Sequence, residues 1–228
     1  RDNMDSLQRE KEKALMVCKI FQRQKLLDGF GHVSLRLSDG RILSTPKMPP
    51  GKVSMRDFII LNSNGEKVEG AAERNGETPM HAAIYRARPD VHCILHFHAE
   101  EVIAASVVPQ GIQVIANCGV FFHRGIPLYD SPLLITTDDL AEEVAKSLQD
   151  YNAVLLRGHG ATVVSDDLDE LVRLGINLAK TARIQIMASA LGTPRTHTES
   201  EARTILEMEL GMGVIRRFVD FYLSETID

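Results

Sequence analysis

The sequence predicts a mixed α/β fold in which a central, mostly antiparallel sheet lies between helices. Three observations predict it. Strand-like segments in the first third are joined by tight turns; apolar strands alternate with helical stretches in the middle; long amphipathic segments close the chain. Over residues 5–27, Leu7, Leu15, Cys18, Phe21 and Leu26 fall near a 3.6-residue period, which predicts an amphipathic helix stopped by Gly29 and Gly31. Residues 32–37 alternate and, with 41–44, predict a hairpin around Asp39-Gly40. Residues 58–61 and 67–69 predict a second strand pair around Asn62-Ser63-Asn64-Gly65.

Thr78 as N-cap, with Pro79 at the first helical position, predicts a helix to about Arg88, where Pro89 stops it. Residues 91–98 read as a buried strand and 100–106 as a short helix. Short strands follow at 113–115 and 126–128, then a helix at 138–149 capped by Thr136 or Thr137. Residues 153–157 form another buried strand that ends in Gly158-His159-Gly160 and continues as 161–164. Long helices are predicted at 169–191 and 199–223, separated by Gly192-Thr193-Pro194. With no repeat and no linker longer than a turn, residues 1–228 read as one domain.

Composition removes whole classes of function. Lys and Arg number 26 against 31 Asp and Glu, for a formal net charge of −5, which argues against binding nucleic acid through phosphate neutralisation. Apolar runs such as 102–109 fall far short of the ~20 residues of a membrane span. The charged start Arg1-Asp2-Asn3-Met4-Asp5 lacks the apolar segment of a signal peptide, so the expected location is cytoplasmic. Cys18, Cys93 and Cys118, odd in number and unrelated in spacing, are expected to be reduced and structural.

Histidine placement carries the chemistry. His96 and His98 sit two apart on a predicted strand, which turns both rings to one face at a spacing that suits two ligands of one metal. A pair of unpaired imidazoles would be costly in an otherwise apolar strand. His159, between glycines that admit a close approach, supplies a third candidate, and three histidines with an open position are the pattern of a catalytic metal site. Glu77, just before a helix whose next inward polar residue is His81, is the candidate carboxylate, either complementing the helix dipole or serving as metal-side acid and base. His92 is too far along its strand for the same metal, and His197 reads as solvated.

Glu77 with His81, the stretch from Tyr85 to Val91, His96-Phe97-His98 and His159-Gly160 together resemble the class II aldolase and adducin-head family, over residues 7–223. That resemblance implies a single three-layer α/β/α domain, usually a C4 homotetramer with active sites at subunit interfaces. It implies His96, His98 and His159 as metal ligands and Glu77 as the catalytic carboxylate. Sugar-phosphate members carry a Ser-Ser pair before the Glu and a Gly-Asn-x-Ser in the first hairpin. Here Asn75-Gly76 and Gly31-His32-Val33-Ser34 stand in those places, so the phosphate clamp is largely missing.

Gly-His-Val-Ser and Arg157-Gly158-His159-Gly160-Ala161 resemble the decarboxylase branch. The activity this implies is removal of CO₂ from an aromatic ortho-hydroxy carboxylate, either a hydroxypyridine dicarboxylate of vitamin B6 degradation or a dihydroxyphthalate. One divalent metal per chain is expected, Mn²⁺ ahead of Zn²⁺. An aldolase or epimerase acting on a small non-phosphorylated hydroxy-carbonyl compound is the alternative. His32, Arg74 and Lys47 are candidates for binding substrate carboxylates, since Arg offers a bidentate fork, and His123 is a candidate for lining the pocket; by the resemblance, Tyr222 near the C-terminus is a candidate for reaching a neighbouring subunit's active site.

Overall fold

The computed structural model describes residues 2–226; Arg1, at the charged start read above, and residues 227–228 lie outside them. Helix α1 (Asp2–Arg23) leads into the strands β1 (His32–Arg36) and β2 (Ile42–Ser44), then β3 (Ile59–Leu61) and β4 (Lys67–Glu69). Helix α2 (Thr78–Ala87), strand β5 (Cys93–Phe97), helix α3 (Glu100–Ser106) and strand β6 (Leu128–Tyr129) follow. The chain continues through α4 (Asp138–Leu148), β7 (Ala153–Leu156), β8 (Gly160–Ser165), α5 (Leu168–Leu191), α6 (Glu199–Gly211) and α7 (Ile215–Ser224).

The eight strands form one sheet in the order β4-β3-β2-β1-β5-β8-β7-β6, antiparallel throughout except for the parallel β6–β7 pair. Alternation along each strand sorts the apolar residues into two cores. Val33, Leu35, Leu43, Cys93, Leu95 and Phe97 pack with α1, α3 and α5, whereas Ile42, Ile59, Leu61, Ile94, Val154 and Leu156 pack with α2 and α4. The sheet is thus the middle layer of three. His32 and Ser34 on β1 and His96 on β5 break this apolar pattern on the α2 side, and His32 is the register partner of His96.

Four expectations are corrected. Thr78 does not cap α2; Glu77 holds the N-cap position, without a side-chain cap bond, and the Thr78 hydroxyl instead donates to the Asn75 and Gly65 carbonyls. Residues 113–115 are not a strand, because the Gln185 side chain and the loop residue His197 take their backbone groups: Gln113 N–H donates to Gln185 Oε1 and Val114 O accepts from His197 N–H. His197 is accordingly half-buried rather than solvated, with its Nε2 enclosed. The helix expected over 199–223 is two helices, since Gly213 turns into the left-handed region at φ +60° between them. The three cysteines are free thiols.

Candidate metal centre

The site lies where β1, β5 and β8 meet, at the strand ends nearest the first turn of α2. His96, completely buried on β5, is one residue from the strand end, and His98 follows just beyond it. His159 sits in the tight β7–β8 turn, its N–H donating to the Leu156 carbonyl. Gly160 lets this turn close on β5: a Cβ there would stand 2.2 Å from the Phe97 carbonyl oxygen and 3.2 Å from His98 Cδ2. Gly160→Ala must therefore push β8 off β5 beside His98. The expected cost is about 1–3 kcal/mol, read as a lower urea midpoint.

Glu77 reaches in from the start of α2. Its Oε1 accepts from the Ile135 N–H at 2.9 Å, which aims Oε2 at the histidines, 3.4 Å from His96 Nε2, 3.6 Å from His32 Nε2 and 3.7 Å from His159 Nε2. Since the side chain makes no cap bond, complementing the helix dipole does not explain its position. Burial pushes the Glu77 carboxyl up, but the imidazoles packed around Oε2, His32 foremost, outweigh it and hold it far below the carboxylate range. Burial holds the imidazoles neutral: His98 is lowered to about 3, and His96 and His159 also lie below their usual value.

The chemistry of these donors fits a divalent cation. His96 Nδ1 lies 3.1 Å from the Ala161 carbonyl oxygen, which can only accept, so Nδ1 carries the ring proton and Nε2 presents its lone pair. That lone pair faces His98 Nε2 at 2.9 Å and the Glu77 carboxylate, a concentration of acceptors that a cation would satisfy. One donor atom each from Glu77, His96, His98 and His159 lies within 4.8 Å of the others. Buried Nδ1 of His159 has no hydrogen-bond partner. Three neutral imidazoles and one carboxylate suit zinc and manganese alike.

Above the cluster opens a cavity of about 790 Å³, in the range of small-molecule sites. Its floor is polar, with His32, Asn75, Glu77, His98 and His159, and its walls are apolar, with Phe30, Met48, Pro49, Ile103, Pro132 and Leu134. These walls escaped the sequence reading because they come from three separate loops and a helix, with no pattern to mark them. Lys47 stands at the rim, paired with Glu73 at 3.4 Å while two-thirds exposed. Arg74 does not line this cavity: its guanidinium donates to the Thr78 hydroxyl at 2.6 Å and faces neighbouring depressions. His123 is also absent from the lining. His123 caps a short 3-10 turn at Asn117–Phe122, and Tyr222 packs on Phe218 and Phe221 in α7. No described helix is long and apolar enough to cross a membrane.

Residues 12–186 match the family model for the class II aldolase and adducin N-terminal domain. A 3,4-dihydroxyphthalate decarboxylase of Arthrobacter keyseri is 27% identical over 199 residues, covering 80% of this chain and 79% of that protein. An L-fuculose phosphate aldolase of Escherichia coli K12 is 26% identical over 179 residues, covering 78% of this chain and 82% of the aldolase. Among solved structures, an aldolase II superfamily protein from Pseudomonas syringae superposes with a TM-score of 0.86 at 18% identity, covering 97% of this chain and 93% of that one.

Proposed function

Because this chain belongs to the class II aldolase and adducin N-terminal domain family, we propose that it is a metal-dependent carbon–carbon lyase that releases CO₂ from an aromatic acid with a hydroxyl beside the carboxylate. The observation that carries this reading is the lining of the cavity. Three of the four cluster donors, Glu77, His98 and His159, line its floor, apolar walls suit a flat ring, and Lys47 is the one Lys or Arg among the described residues around it. A lone rim lysine makes a poor cradle for a phosphate but an adequate partner for a second carboxylate. Likeness to a dihydroxyphthalate decarboxylase points to a ring bearing two carboxylates and two hydroxyls.

In this reading His96, His98 and His159 hold the cation, with Glu77 beside it. A divalent cation there supplies positive charge that stabilises electron density developing on the substrate as the carbon–carbon bond breaks. The electron pair of that bond stays on the ring carbon, CO₂ departs, and one proton must return to the same carbon. Glu77 is placed to hold that proton, or to orient the water that delivers it. His32 Nε2 stands beside the carboxylate, 3.6 Å from Glu77 Oε2. Phe30, Met48 and Leu134 hold the ring and keep bulk water from the reacting face.

Lys47 lies apart from the cluster, and an exposed ion pair such as Lys47–Glu73 contributes only about 0–1 kcal/mol, so the ammonium is free to turn to substrate. Lys47→Ala should raise KM about tenfold, the loss of one charge-assisted contact, with kcat and thermal midpoint nearly unchanged. Steady-state kinetics and a melting curve check both. The match to L-fuculose phosphate aldolase supports a second reading, aldol cleavage at the same donors. Incubating the manganese- or zinc-loaded chain with dihydroxyphthalates, hydroxypyridine dicarboxylates and L-fuculose 1-phosphate separates the two. CO₂ from an ortho-hydroxy acid supports decarboxylation, and paired carbonyl fragments without CO₂ overturn it in favour of the aldolase.

A further inference from the structure

Glu77, His81 and Tyr85 recur every four residues and stand one above another on the face of α2 turned to the sheet. His32 and Ser34, two apart on β1, face them. Four helical residues rise about 6 Å and two strand residues about 6.7 Å, so the two rows mesh rung by rung. Tyr85 Oη lies 2.9 Å from Ser34 Oγ, Ser34 Oγ 2.6 Å from His81 Nδ1, and His81 Nε2 2.7 Å from His32 Nδ1. His32 Nε2 then faces Glu77 Oε2. All four residues of the row are at most 5% exposed.

A buried row of this kind has only two consistent directions. Neutral His81 donates from one nitrogen and accepts at the other. If it donated from Nδ1 to Ser34, His32 would have to donate from Nδ1, and its bare Nε2 would face the Glu77 carboxylate, lone pair against lone pair. In the opposite direction Tyr85 donates to Ser34, Ser34 to His81 Nδ1, and His81 Nε2–H to His32 Nδ1. Every buried polar atom of the row is then satisfied, and His32 offers Nε2–H to the carboxylate.

We infer that His81 is a positioning residue that fixes His32 as its Nε2–H tautomer, so that His32 donates to Glu77 and holds Oε2 toward the three-histidine cluster. This role rests on the reading of Glu77 as the group that handles the proton. Ser34 and Tyr85 set the direction of the row, and none of the three needs to touch substrate.

Solid-state ¹⁵N NMR of the zinc-loaded, histidine-labelled full chain tests this, with the His32 signals assigned by their loss in His32→Gln. The expected wild-type spectrum has His32 protonated at Nε2 and bare at Nδ1. His81→Gln, whose amide N–H stands near the place of Nε2, should keep that state. His81→Leu should lose it and lower kcat about 10- to 100-fold, the usual scale for such supporting partners, with KM little changed. A wild-type His32 protonated at Nδ1, or an unaltered His32 in folded His81→Leu, overturns the inference. The wild-type spectrum decides even if His81→Leu does not fold. A chain with the expected tautomer that releases no CO₂ supports the positioning role and overturns the decarboxylase reading.

Discussion

Replacing His96 by alanine is expected to abolish bound divalent metal and CO₂ release together. His96 is the most enclosed of the four donors, completely buried with its tautomer set by the Ala161 carbonyl, so its loss removes the donor at the base of the cluster. Removing it leaves His98 and His159 in two separate loops, their rings stacked at 5.0 Å with Glu77 beside His159. Metal per chain should fall from about one to near zero after dialysis, and the rate by about 10²–10³-fold or more, the scale of losing one charge-stabilising group. His159→Ala should do the same from the opposite side of the cluster. Because His159 sits in a turn and is only partly buried, it separates loss of metal from loss of fold. Full metal and activity in either variant would mean that the site is elsewhere.

Glu77→Gln is expected to keep the metal and lose the chemistry. The amide oxygen can still accept from Ile135 N–H, so the side chain should stay in place while its negative charge and proton-carrying capacity disappear. Three imidazoles remain to hold the cation. CO₂ release should fall about 10²–10⁴-fold, the usual contribution of a positioned acid or base. Metal analysis and product assay on the same sample check this, and near-normal turnover in Glu77→Gln would remove Glu77 from the reaction.

Much of this arrangement was legible in the sequence, for identifiable reasons. A metal cluster draws on few residue types, so His96 and His98 at a strand's two-residue spacing, with His159 between glycines, stood out from apolar surroundings. Turn chemistry marked the β1–β2 and β3–β4 connections well, because Asp-Gly and Asn-x-x-Gly act locally. Long-range choices were not legible. Arg74 sits three residues before Glu77 yet turns its guanidinium to Thr78, a decision made by a long exposed side chain. Residues 113–115 have a strand's composition but lose their backbone partners to Gln185 and His197. The Tyr85–Ser34–His81–His32 row depends on how α2 registers over β1, which no local pattern states. The helix dipole reading of Glu77 was equally open until Ile135 was seen to take its other oxygen.

The most direct test of the central claim is to strip the purified chain of metal with a chelator, add Mn²⁺ or Zn²⁺ back in steps, and follow CO₂ release from 3,4-dihydroxyphthalate. CO₂ release that is absent without metal and saturates near one equivalent per chain is the result this account predicts. Undiminished release from the stripped chain, or saturation unaltered by His96→Ala, would contradict it.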